Sequence, residues 1–584
     1  MTSGWFRNPP PICLWRLGVL WLAMMCSLPA VAEVRVNIQG IDGAMRDNVR
    51  LFVGLPPSDD PLVVSRFAGR ARDQAREALQ AVGYYSADIQ VSTDRQGEDW
   101  IIGIRVDPGE PVIVTSLDIT IEGDAAEDQA FIRLRERLPL REGARLHHGH
   151  YETAKRAMEA LALSRGYFNA SYDVSRIAVR REQREAEVSL RFNSGRRYRM
   201  GEVVFPELPL SDNLLQRLVP YDDGDPYSAD EMAVLNRNLL NSGYFRDVRV
   251  RPRQDAAGED LRVPVNAEVT MEAPNRIGTG IGYATDVGPR LRLNWRRPWV
   301  NADGHFLSAE TEISEVRQSV SGNYTMPLDP PLEHKLQFFG GYQRENLEDT
   351  RSDKLTAGIQ RQRTLRRGWQ QNLFLRWERE EFVQAGERGR STLTLPGTSV
   401  SRTRSRGGLD PDWGDRQFAS VEFTHPELGS DISLGRFRMT SRWLRSIGRH
   451  RALVRAEYGA LATEDLDRTP PSLRFFAGGD QSVRGFSYQS LAPRDDRNRL
   501  IGGRYLLAGT LEYSYRFAER WRAATFIDAG NAFSDSNLDE GFERGAGVGV
   551  RWLSPVGPIR LDVAWGVSDP ELPWRIHLSM GPQL

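Results

Sequence analysis

The second half of the chain is dominated by segments in which apolar and polar residues alternate with a period of two. Residues 373–378, 559–565 and 574–580 show this pattern, with their charged residues confined to one face. The alternation predicts strands of a transmembrane antiparallel β-barrel with a lipid-facing exterior and a polar lumen. A soluble β-sandwich also alternates, but it does not usually place aromatic residues on the apolar face at so many strand ends. The region predicted to form the barrel, 271–584, has room for roughly 16 strands, and 14 or 18 also fit its length.

The first half repeats one helical pattern three times. Residues 75–85, 157–168 and 235–245 each end in Gly-Tyr-aromatic, and an alternating strand pattern follows each of them. A glycine after a helix adopts the left-handed conformation at no steric cost. We expect the aromatic pair to seal each helix against the sheet that follows it.

A repeat spacing of about 80 residues, with the same internal order each time, indicates three repeated domains. Each domain is predicted to be a small α+β module with a short mixed sheet. The predicted limits are 33–111, 112–198 and 199–270.

The N-terminus has the features of a secretory signal peptide. Arg7 and Arg16 precede or border a short apolar run, and Ala30-Val31-Ala32 matches an A-x-A cleavage pattern. A retained anchor is the alternative, although the apolar run is short for a membrane span. We predict a signal peptide over 1–32. No later stretch approaches the roughly 20 apolar residues of a membrane helix, so a closed barrel is the other route through a membrane.

Composition narrows the function classes. Both cysteines, Cys13 and Cys26, lie in the predicted signal peptide, so the mature chain has neither disulfides nor thiol chemistry. The net charge is −1 at pH 7, and removal of two arginines with the signal peptide lowers it further. This near-neutral charge argues against a nucleic-acid partner.

Three motifs follow one another in the barrel half. They are Val483-Arg484-Gly485-Phe486 in a polar stretch between strands, Phe526-Ile527-Asp528-Ala529-Gly530 on a later strand, and residues 554–558, Ser-Pro-Val-Gly-Pro. With the repeats, which resemble POTRA (polypeptide-transport-associated) domains, this order resembles the BamA-like superfamily of outer-membrane assembly and secretion proteins. The resemblance implies a barrel in the cell outer membrane and POTRA domains in the periplasm.

The resemblance also implies a role for the motifs. The Arg-Gly-Phe loop would fold into the lumen, and Arg484 would pair with Asp528, with Phe526 and Gly530 on the same strand. A guanidinium in a partly desolvated lumen needs a carboxylate, and bidentate pairing would fix the loop. The alternative is an exposed loop arginine and a solvated lumen aspartate.

The chain resembles the TamA-like family, the outer-membrane subunits of translocation and assembly modules. The resemblance lies in the number of modules, three, in the first hairpin, 282–290, and in the C-terminal Met580 to Leu584. The resemblance implies insertion or secretion of outer-membrane proteins such as autotransporters. It implies as partners unfolded outer-membrane protein clients, outer-membrane lipid and a TamB-like periplasmic protein anchored in the inner membrane. Lipid transport between the membranes with that partner, a general barrel-assembly factor and a two-partner secretion transporter are the alternatives.

The first and last strands of a barrel must close against each other, and here both look like weak pairing partners. The first has glycine at its inward positions, which weakens a strand, and the last runs into a proline, which has no N–H to donate. One interpretation is a lateral gate that opens to accept a client strand. The other, equally weighted, is that the glycines relieve crowding and the terminus frays. The candidate seam residues are Ile277, Gly278, Gly280, Ile281, Gly282, Gly581 and Pro582.

No nucleophile elbow, zinc-protease motif or phosphate-binding loop occurs, so we predict neither an enzyme nor a cofactor. The histidines of 147–150 could bind a metal but lack an obvious further ligand, so we predict a solvated loop and no metal site. The arginine-rich run 402–408 is interpreted as lumen or loop charge between strands. A passive porin would not need the three modules, and a surface protease or lipase would need a catalytic constellation.

Overall fold

The computed structural model describes residues 34–97, 99–347, 349–408, 410–555 and 557–581. The predicted signal peptide and Pro582 lie outside these residues. Within them the chain forms two compact units. The first contains residues through Gly201 with Asp223–Asp230 and Gln254–Val263, and the second contains Glu202–Asp222, Glu231–Arg253 and the chain from Pro264 onward.

The region before the barrel builds three small sheets with helices. In the described residues the helices are α1 (Gly43–Val53), α2 (Pro61–Ala81), α3 (Gln129–Arg137), α4 (His148–Arg165), α5 (Asp212–Gln216) and α6 (Ala229–Ser242). The strands are β1 (Val34–Gln39), β2 (Asp88–Gln96), β3 (Asp99–Asp107), β4 (Ile113–Glu122), β5 (Ser171–Arg180), β6 (Glu185–Asn193), β7 (Arg199–Val204), β8 (Phe245–Pro252) and β9 (Arg262–Met271). The sheet orders are β1-β3-β2, β4-β6-β5 and β7-β9-β8. The first two sheets are mixed, because the outer strands run parallel and antiparallel to the central one.

The long helix of the first module, α2, begins at a capping residue that its sequence provides. The Asp60 carboxylate accepts a hydrogen bond from the Leu62 amide at 2.8 Å, and Pro61, which has no N–H to satisfy, occupies the first turn. The helix buries a stripe that includes Phe67, Ala71 and Leu79 against the sheet. Burial of this apolar face holds the module together.

The repeated Gly-Tyr-aromatic motif has a second role at the junction between modules. Gly166 has φ +84°, and a Cβ at this position would come within 2.5 Å of the Tyr227 Cβ. Phe168, the last residue of the motif, packs its ring 4.8 Å from the Tyr227 ring. It also lies 5.2 Å from the ring of Tyr198, in the segment that leads to the next module, whereas Tyr167 meets the Phe131 ring of its own module edge-on at 5.5 Å. The expectation that both aromatic residues seal the helix to its own sheet is therefore wrong for Phe168.

The described residues from 276 onward form a closed antiparallel barrel of 16 strands in sequential order. The strands are β10 (Arg276–Ala284), β11 (Gly288–Arg297), β12 (Phe306–Ser314), β13 (Arg317–Pro327), β14 (His334–Leu347), β15 (Thr350–Thr364), β16 (Gln370–Gln384), β17 (Glu387–Arg406), β18 (Trp413–Thr424), β19 (Leu434–Ile447), β20 (His450–Thr463), β21 (Tyr505–Ala518), β22 (Trp521–Phe533), β23 (Glu543–Ser554), β24 (Gly557–Gly566) and β25 (Trp574–Met580). The prediction of three α+β modules followed by a barrel of about 16 strands is confirmed.

The two faces of the strands differ in the predicted sense. On β16, Leu373, Leu375 and Trp377 are exposed, whereas Glu378 and Glu380 are buried on the opposite face. Alternation therefore separates an apolar exterior from a charged interior. Among the described residues, every helix is too short or too polar to cross a membrane.

The connection between β20 and β21, residues 464–504, is the long loop of the barrel, and we call it the lumen loop. Leu473, Phe475 and Ala477 of this loop pack with Leu395 and Leu461 of the barrel strands in one buried cluster. This packing folds the loop back onto the inner wall and brings residues 479–486 to strands β21 to β25.

Candidate functional site: the lumen loop and the seam

Arg484 of the lumen loop is anchored by a buried carboxylate on β22. Its Nε and Nη2 atoms donate to the two oxygens of Asp528 at 2.7 and 3.0 Å, and its backbone N–H donates to the same carboxylate at 3.0 Å. The guanidinium carbon lies 3.3 Å from the centre of the Phe526 ring. Arg484 is 5% exposed and Asp528 is fully buried. A bidentate pair of this kind fixes both the position and the orientation of the loop.

Three further charged residues extend the anchor. The Arg484 Nη1 atom donates to Glu512 on β21 at 3.0 Å and to Asp562 on β24 at 3.2 Å. Arg551 on β23 donates to the same Glu512 at 2.8 and 3.2 Å and to Asp562 at 2.5 Å. The loop arginine is thus tied to three strands, and each carboxylate has charge-assisted partners, as buried ions require.

Small residues on the wall let the loop backbone come close. A Cβ on Gly545 of β23 would lie 1.9 Å from the Arg484 carbonyl oxygen, so a side chain there would displace the loop. Gly485 has φ +96°, and a Cβ on it would meet the Gly566 amide of β24 at 2.7 Å. Glycine at this position of the motif is therefore required by both conformation and space.

The other predicted motif residues surround this anchor. Val483 and Phe486 are buried, and the Phe486 ring packs against Gly566. Phe526 is buried in the lumen, where Gly547 on the neighbouring strand leaves room for its ring. Gly530 lies on the same strand as Asp528, and a Cβ there would approach the Ala508 Cα at 2.7 Å.

The seam between the first and last strands has, in the part of the chain that the structure describes, much less pairing than the neighbouring strands. Strand β10 pairs with β11 over its full length, from Arg276 to Ala284. In the described residues its one register pair with β25 is Ala284 with Ser579. In this antiparallel register the position opposite Trp574 would be residue 289, which already belongs to β11.

Two hydrogen bonds supplement that pair. The Thr285 amide donates to the Leu578 carbonyl at 3.3 Å, and the Leu578 amide donates to the Thr285 hydroxyl at 3.4 Å. Ile277 and Ile281 are 75% and 84% exposed, whereas Gly278, Gly280 and Gly282 present no side chain to the other face. Gly581, with φ +128°, follows the end of β25.

Sequence reasoning missed five charged or titratable residues of this site. Glu512, Arg551 and Asp562 complete the anchor, while Asp286 in the β10–β11 turn and His577 on β25 contact the lumen loop near the seam. Each lies on a polar stretch or an inward-facing strand position, which the alternation does reveal. Which inward positions become neighbours depends on strand register, and a single sequence does not encode that directly.

Two expectations about charged clusters are wrong. Residues 148–150 form the first turn of α4 rather than a solvated loop, and His148 Nε2 lies 2.7 Å from the Tyr85 hydroxyl. Burial lowers the pKa of His148. Arg402 and Arg404 lie on β17 rather than between strands, and both donate to the buried Asp415 of β18. Asp415 lies directly opposite Trp443, which is exposed on the outer face of β19. These arginines therefore belong to the outward side of the strands, and the interpretation as lumen or loop charge is wrong.

A barrel closed by 16 strands, a long inward loop and tandem small modules define an outer-membrane β-barrel protein with periplasmic modules. The chain belongs to the Omp85 superfamily, whose domain model matches residues 290–583. Residues 35–108 match the POTRA domain TamA domain 1, and residues 198–271 match the POTRA family described as surface antigen variable number repeat. The predicted outer-membrane location with periplasmic modules is confirmed.

Individual relatives are distant. The chain is 23% identical over 395 residues to the outer membrane protein assembly factor BamA of Nitratidesulfovibrio vulgaris, which covers 63% of this chain and 49% of that protein. It is 25% identical over 318 residues to the chloroplastic outer envelope protein 80 of Arabidopsis thaliana, covering 50% of this chain and 38% of that protein. The chain thus spans half or less of the length of these relatives.

A solved structure resembles this fold. BamA from Haemophilus ducreyi lacking POTRA domains 1–3 superposes with a TM-score of 0.68 at 15% identity, covering 80% of this chain and 99% of that one. At this identity the likeness concerns the fold of the barrel and the modules next to it.

Proposed function

We propose that this protein is the outer-membrane subunit of a translocation and assembly module, which inserts or secretes outer-membrane proteins such as autotransporters through a lateral gate between β10 and β25. The observation that carries the proposal is the seam, where the one register pair among the described residues, Ala284–Ser579, contrasts with full-length pairing at β10–β11. Membership of the Omp85 superfamily supports an assembly or secretion role.

The gate supplies a template rather than a catalyst. An edge strand offers unpaired N–H and C=O groups, and a client strand adds to it by backbone hydrogen bonding. Side chains such as Ile281 already face outward, so a strand added there would lie at the lipid face. Backbone pairing and burial of apolar client surface supply the free energy, and no covalent step, metal or cofactor enters the proposal.

The loop anchor and the modules have separate roles in this proposal. Arg484 holds the lumen loop against the wall through Asp528, which keeps the lumen side of the seam ordered. The three modules, with the limits given above, bind partners or clients by adding a strand to an outer strand such as β5 or β2. The match of residues 35–108 to the first TamA POTRA domain supports a TamB-like partner.

A disulfide across the seam tests the gate. We expect the Ala284→Cys/Ser579→Cys pair to block client insertion in proteoliposomes when oxidised and to restore it when reduced. A matched pair within the wall, Ala419→Cys with Met439→Cys on β18 and β19, serves as the control and should leave insertion unchanged. Undiminished insertion by the oxidised seam variant would rule out the lateral gate.

A second measurement distinguishes protein from lipid as the cargo. Transfer of a labelled phospholipid into the barrel-containing liposomes is measured beside insertion of an autotransporter β-domain. Loss of client insertion with unchanged lipid transfer in the locked variant supports the proposal. The reverse pattern favours lipid transport between the membranes.

A further inference from the structure

The lumen loop contacts both sides of the seam. The Asp480 backbone N–H donates to Asp286 in the β10–β11 turn at 2.5 Å. Five residues further along the loop, the Gly485 N–H donates to the Nε2 atom of His577 on β25 at 3.2 Å. One short stretch of backbone therefore joins the first hairpin of the barrel to its last strand.

The histidine contact fixes a tautomer. Because Nε2 of His577 accepts from Gly485, the proton of the neutral ring must sit on Nδ1. That nitrogen lies 3.7 Å from the Asp286 Oδ1 atom, and both side chains are buried, with 3% and 6% exposure. The protonated Nδ1 atom therefore lies near the Asp286 carboxyl group across the seam, beyond direct hydrogen-bond distance but within electrostatic reach.

The loop approaches Asp286 through a glycine at which a side chain would displace the Asp286 carboxyl group. Gly479 has φ +99°, and a Cβ on it would lie 2.5 Å from the Asp286 Oδ2 atom. The Arg484 anchor then holds the other end of this stretch on strands β21, β22 and β24. The connection across the seam is thus attached to the rigid part of the wall.

We propose that Asp286, Asp480, Gly485 and His577 form a seam latch, in which the lumen loop holds β10 against β25, and that Asp286 and His577 are positioning residues of the gate. This inference rests on the proposed function for its biological meaning, but the latch itself is a property of the barrel alone. In the described residues β10 and β25 share one register pair, and these buried loop contacts add to the closure of the seam. Removal of either side chain leaves a backbone N–H of the loop without its acceptor, which weakens closure.

Spin labels across the seam test the latch on the full chain in liposomes, without client. Labelled cysteines at Tyr283 on β10 and Ile576 on β25 face outward and stand apart from the latch contacts. We expect Asp286→Ala and His577→Ala each to raise the population with a long inter-label distance by about tenfold, the effect of losing one hydrogen bond to a charged or buried acceptor. Asp286→Asn keeps an acceptor for the Asp480 N–H and should stay close to wild type.

Matched controls remove the same residue types elsewhere. Asp303 is an exposed turn residue, and His450 bonds the Tyr513 hydroxyl on β21; Asp303→Ala and His450→Ala should keep the wild-type distance distribution. The latch is refuted if assembled Asp286→Ala and His577→Ala barrels also keep it. If neither alanine variant assembles, Gly479→Ala decides, because its added Cβ displaces Asp286 without removing a polar group.

Failure of the latch is distinguishable from failure of the gate. The distance measurement needs no client, whereas the oxidised Ala284→Cys/Ser579→Cys variant tests insertion directly. If the seam widens in Asp286→Ala but the disulfide-locked barrel still inserts clients, the latch is supported and the lateral gate is refuted. If the seam is unchanged in Asp286→Ala but the locked barrel no longer inserts clients, the gate is supported and the latch is refuted.

Discussion

At the scale of single residues, the anchor of the lumen loop depends on charge complementarity between buried side chains. Arg484 satisfies the Asp528 carboxylate with two side-chain bonds and one backbone bond. Glu512 and Asp562 are shared between Arg484 and Arg551. Removing Arg484 leaves the buried Asp528 without the guanidinium that pairs with it, while Glu512 and Asp562 keep Arg551. A buried charge without its partner costs far more than an intact pair contributes.

We therefore expect Arg484→Ala to detach the lumen loop, at a cost of about 3–5 kcal/mol for the loop contacts, while the barrel still forms. Hydrogen exchange of residues 479–486 should speed up and client insertion should fall, with the heat-modifiable gel mobility of a folded barrel retained. Arg497→Ala, an exposed arginine of the same loop, should behave as wild type. Wild-type insertion by Arg484→Ala would contradict the role of the anchor.

A second residue-scale contact stabilises the middle module. Asp128 accepts hydrogen bonds from the Ala130 amide at 2.9 Å, from Arg165 at 2.6 Å and from the Tyr167 hydroxyl at 3.0 Å. Burial opposes ionisation, but these donors outweigh it and lower the pKa of Asp128. Burial and the neighbouring carboxylate raise the pKa of Tyr167 to about 12, so this hydroxyl stays protonated as a donor.

The depressed pKa of Asp128 gives a signed pH dependence. Its contribution to stability is present above the ordinary carboxyl pKa of about 3.9 and is lost as the pH falls through the lower folded value. We expect Asp128→Asn to destabilise the module by about 1–3 kcal/mol at neutral pH and to flatten the acid end of the stability profile. Hydrogen exchange of α3 and α4 between pH 3 and pH 7 measures both, with the exposed Asp173→Asn as control. An equal pH profile in Asp128→Asn and wild type would show that the carboxylate has no such role.

At the scale of elements, the helix-ending glycine of the repeat also forms the joint to the next segment. Gly166 accepts the Tyr198 amide at its carbonyl at 2.9 Å, and it leaves no room for a Cβ beside Tyr227. The glycine motif that ends the helix therefore also determines how the following segment packs against it.

We expect Gly166→Ala to destabilise this joint by more than the about 1–2 kcal/mol that a left-handed backbone costs an alanine, because the new methyl also collides with Tyr227. The matched control is Gly143→Ala, which has a similar φ of +78° but no atom within 4 Å of its Cβ. Protease sensitivity between residues 193 and 230 should rise in the first variant only. Equal protease sensitivity in both variants would mean that backbone strain alone explains the effect and that the collision with Tyr227 contributes nothing.

At the scale of the whole molecule, the barrel combines a continuous wall with one short seam. Elsewhere long antiparallel ladders satisfy the backbone, as the lipid environment requires. At the seam that requirement is met incompletely by β10 and β25 in the described residues, and an added strand would complete it.

A photoreactive side chain at the seam should capture the client. Ile281 on β10 and Ile447 on β19 are both 84% exposed, so they offer matched positions beside and away from the seam. We expect crosslinks to a translocating β-domain from Ile281 several-fold above those from Ile447. Equal yields from both positions would mean that the client does not enter at β10.

The sequence by itself determined the modular plan and the two faces of the wall. Period-two alternation specifies which side chains meet lipid, because successive strand residues point to opposite faces, and the three glycine-ended helices specify three modules. The motif around Arg484 also indicated its carboxylate on the strand of Phe526. These features are local patterns or a family signature, and both can be recognised in a single sequence.

Only the tertiary structure decided which inward residues share one site. Glu512, Asp562, Asp286 and His577 are far apart in sequence and come to the lumen loop through strand register, and the direction of Phe168 depends on the module that follows it. Register and docking follow from the packing of the entire wall, since a shift of one residue would reverse every face. The pairing of Ala284 with Ser579 across the seam has the same origin, because closing a barrel of 16 strands fixes the stagger between its first and last strands.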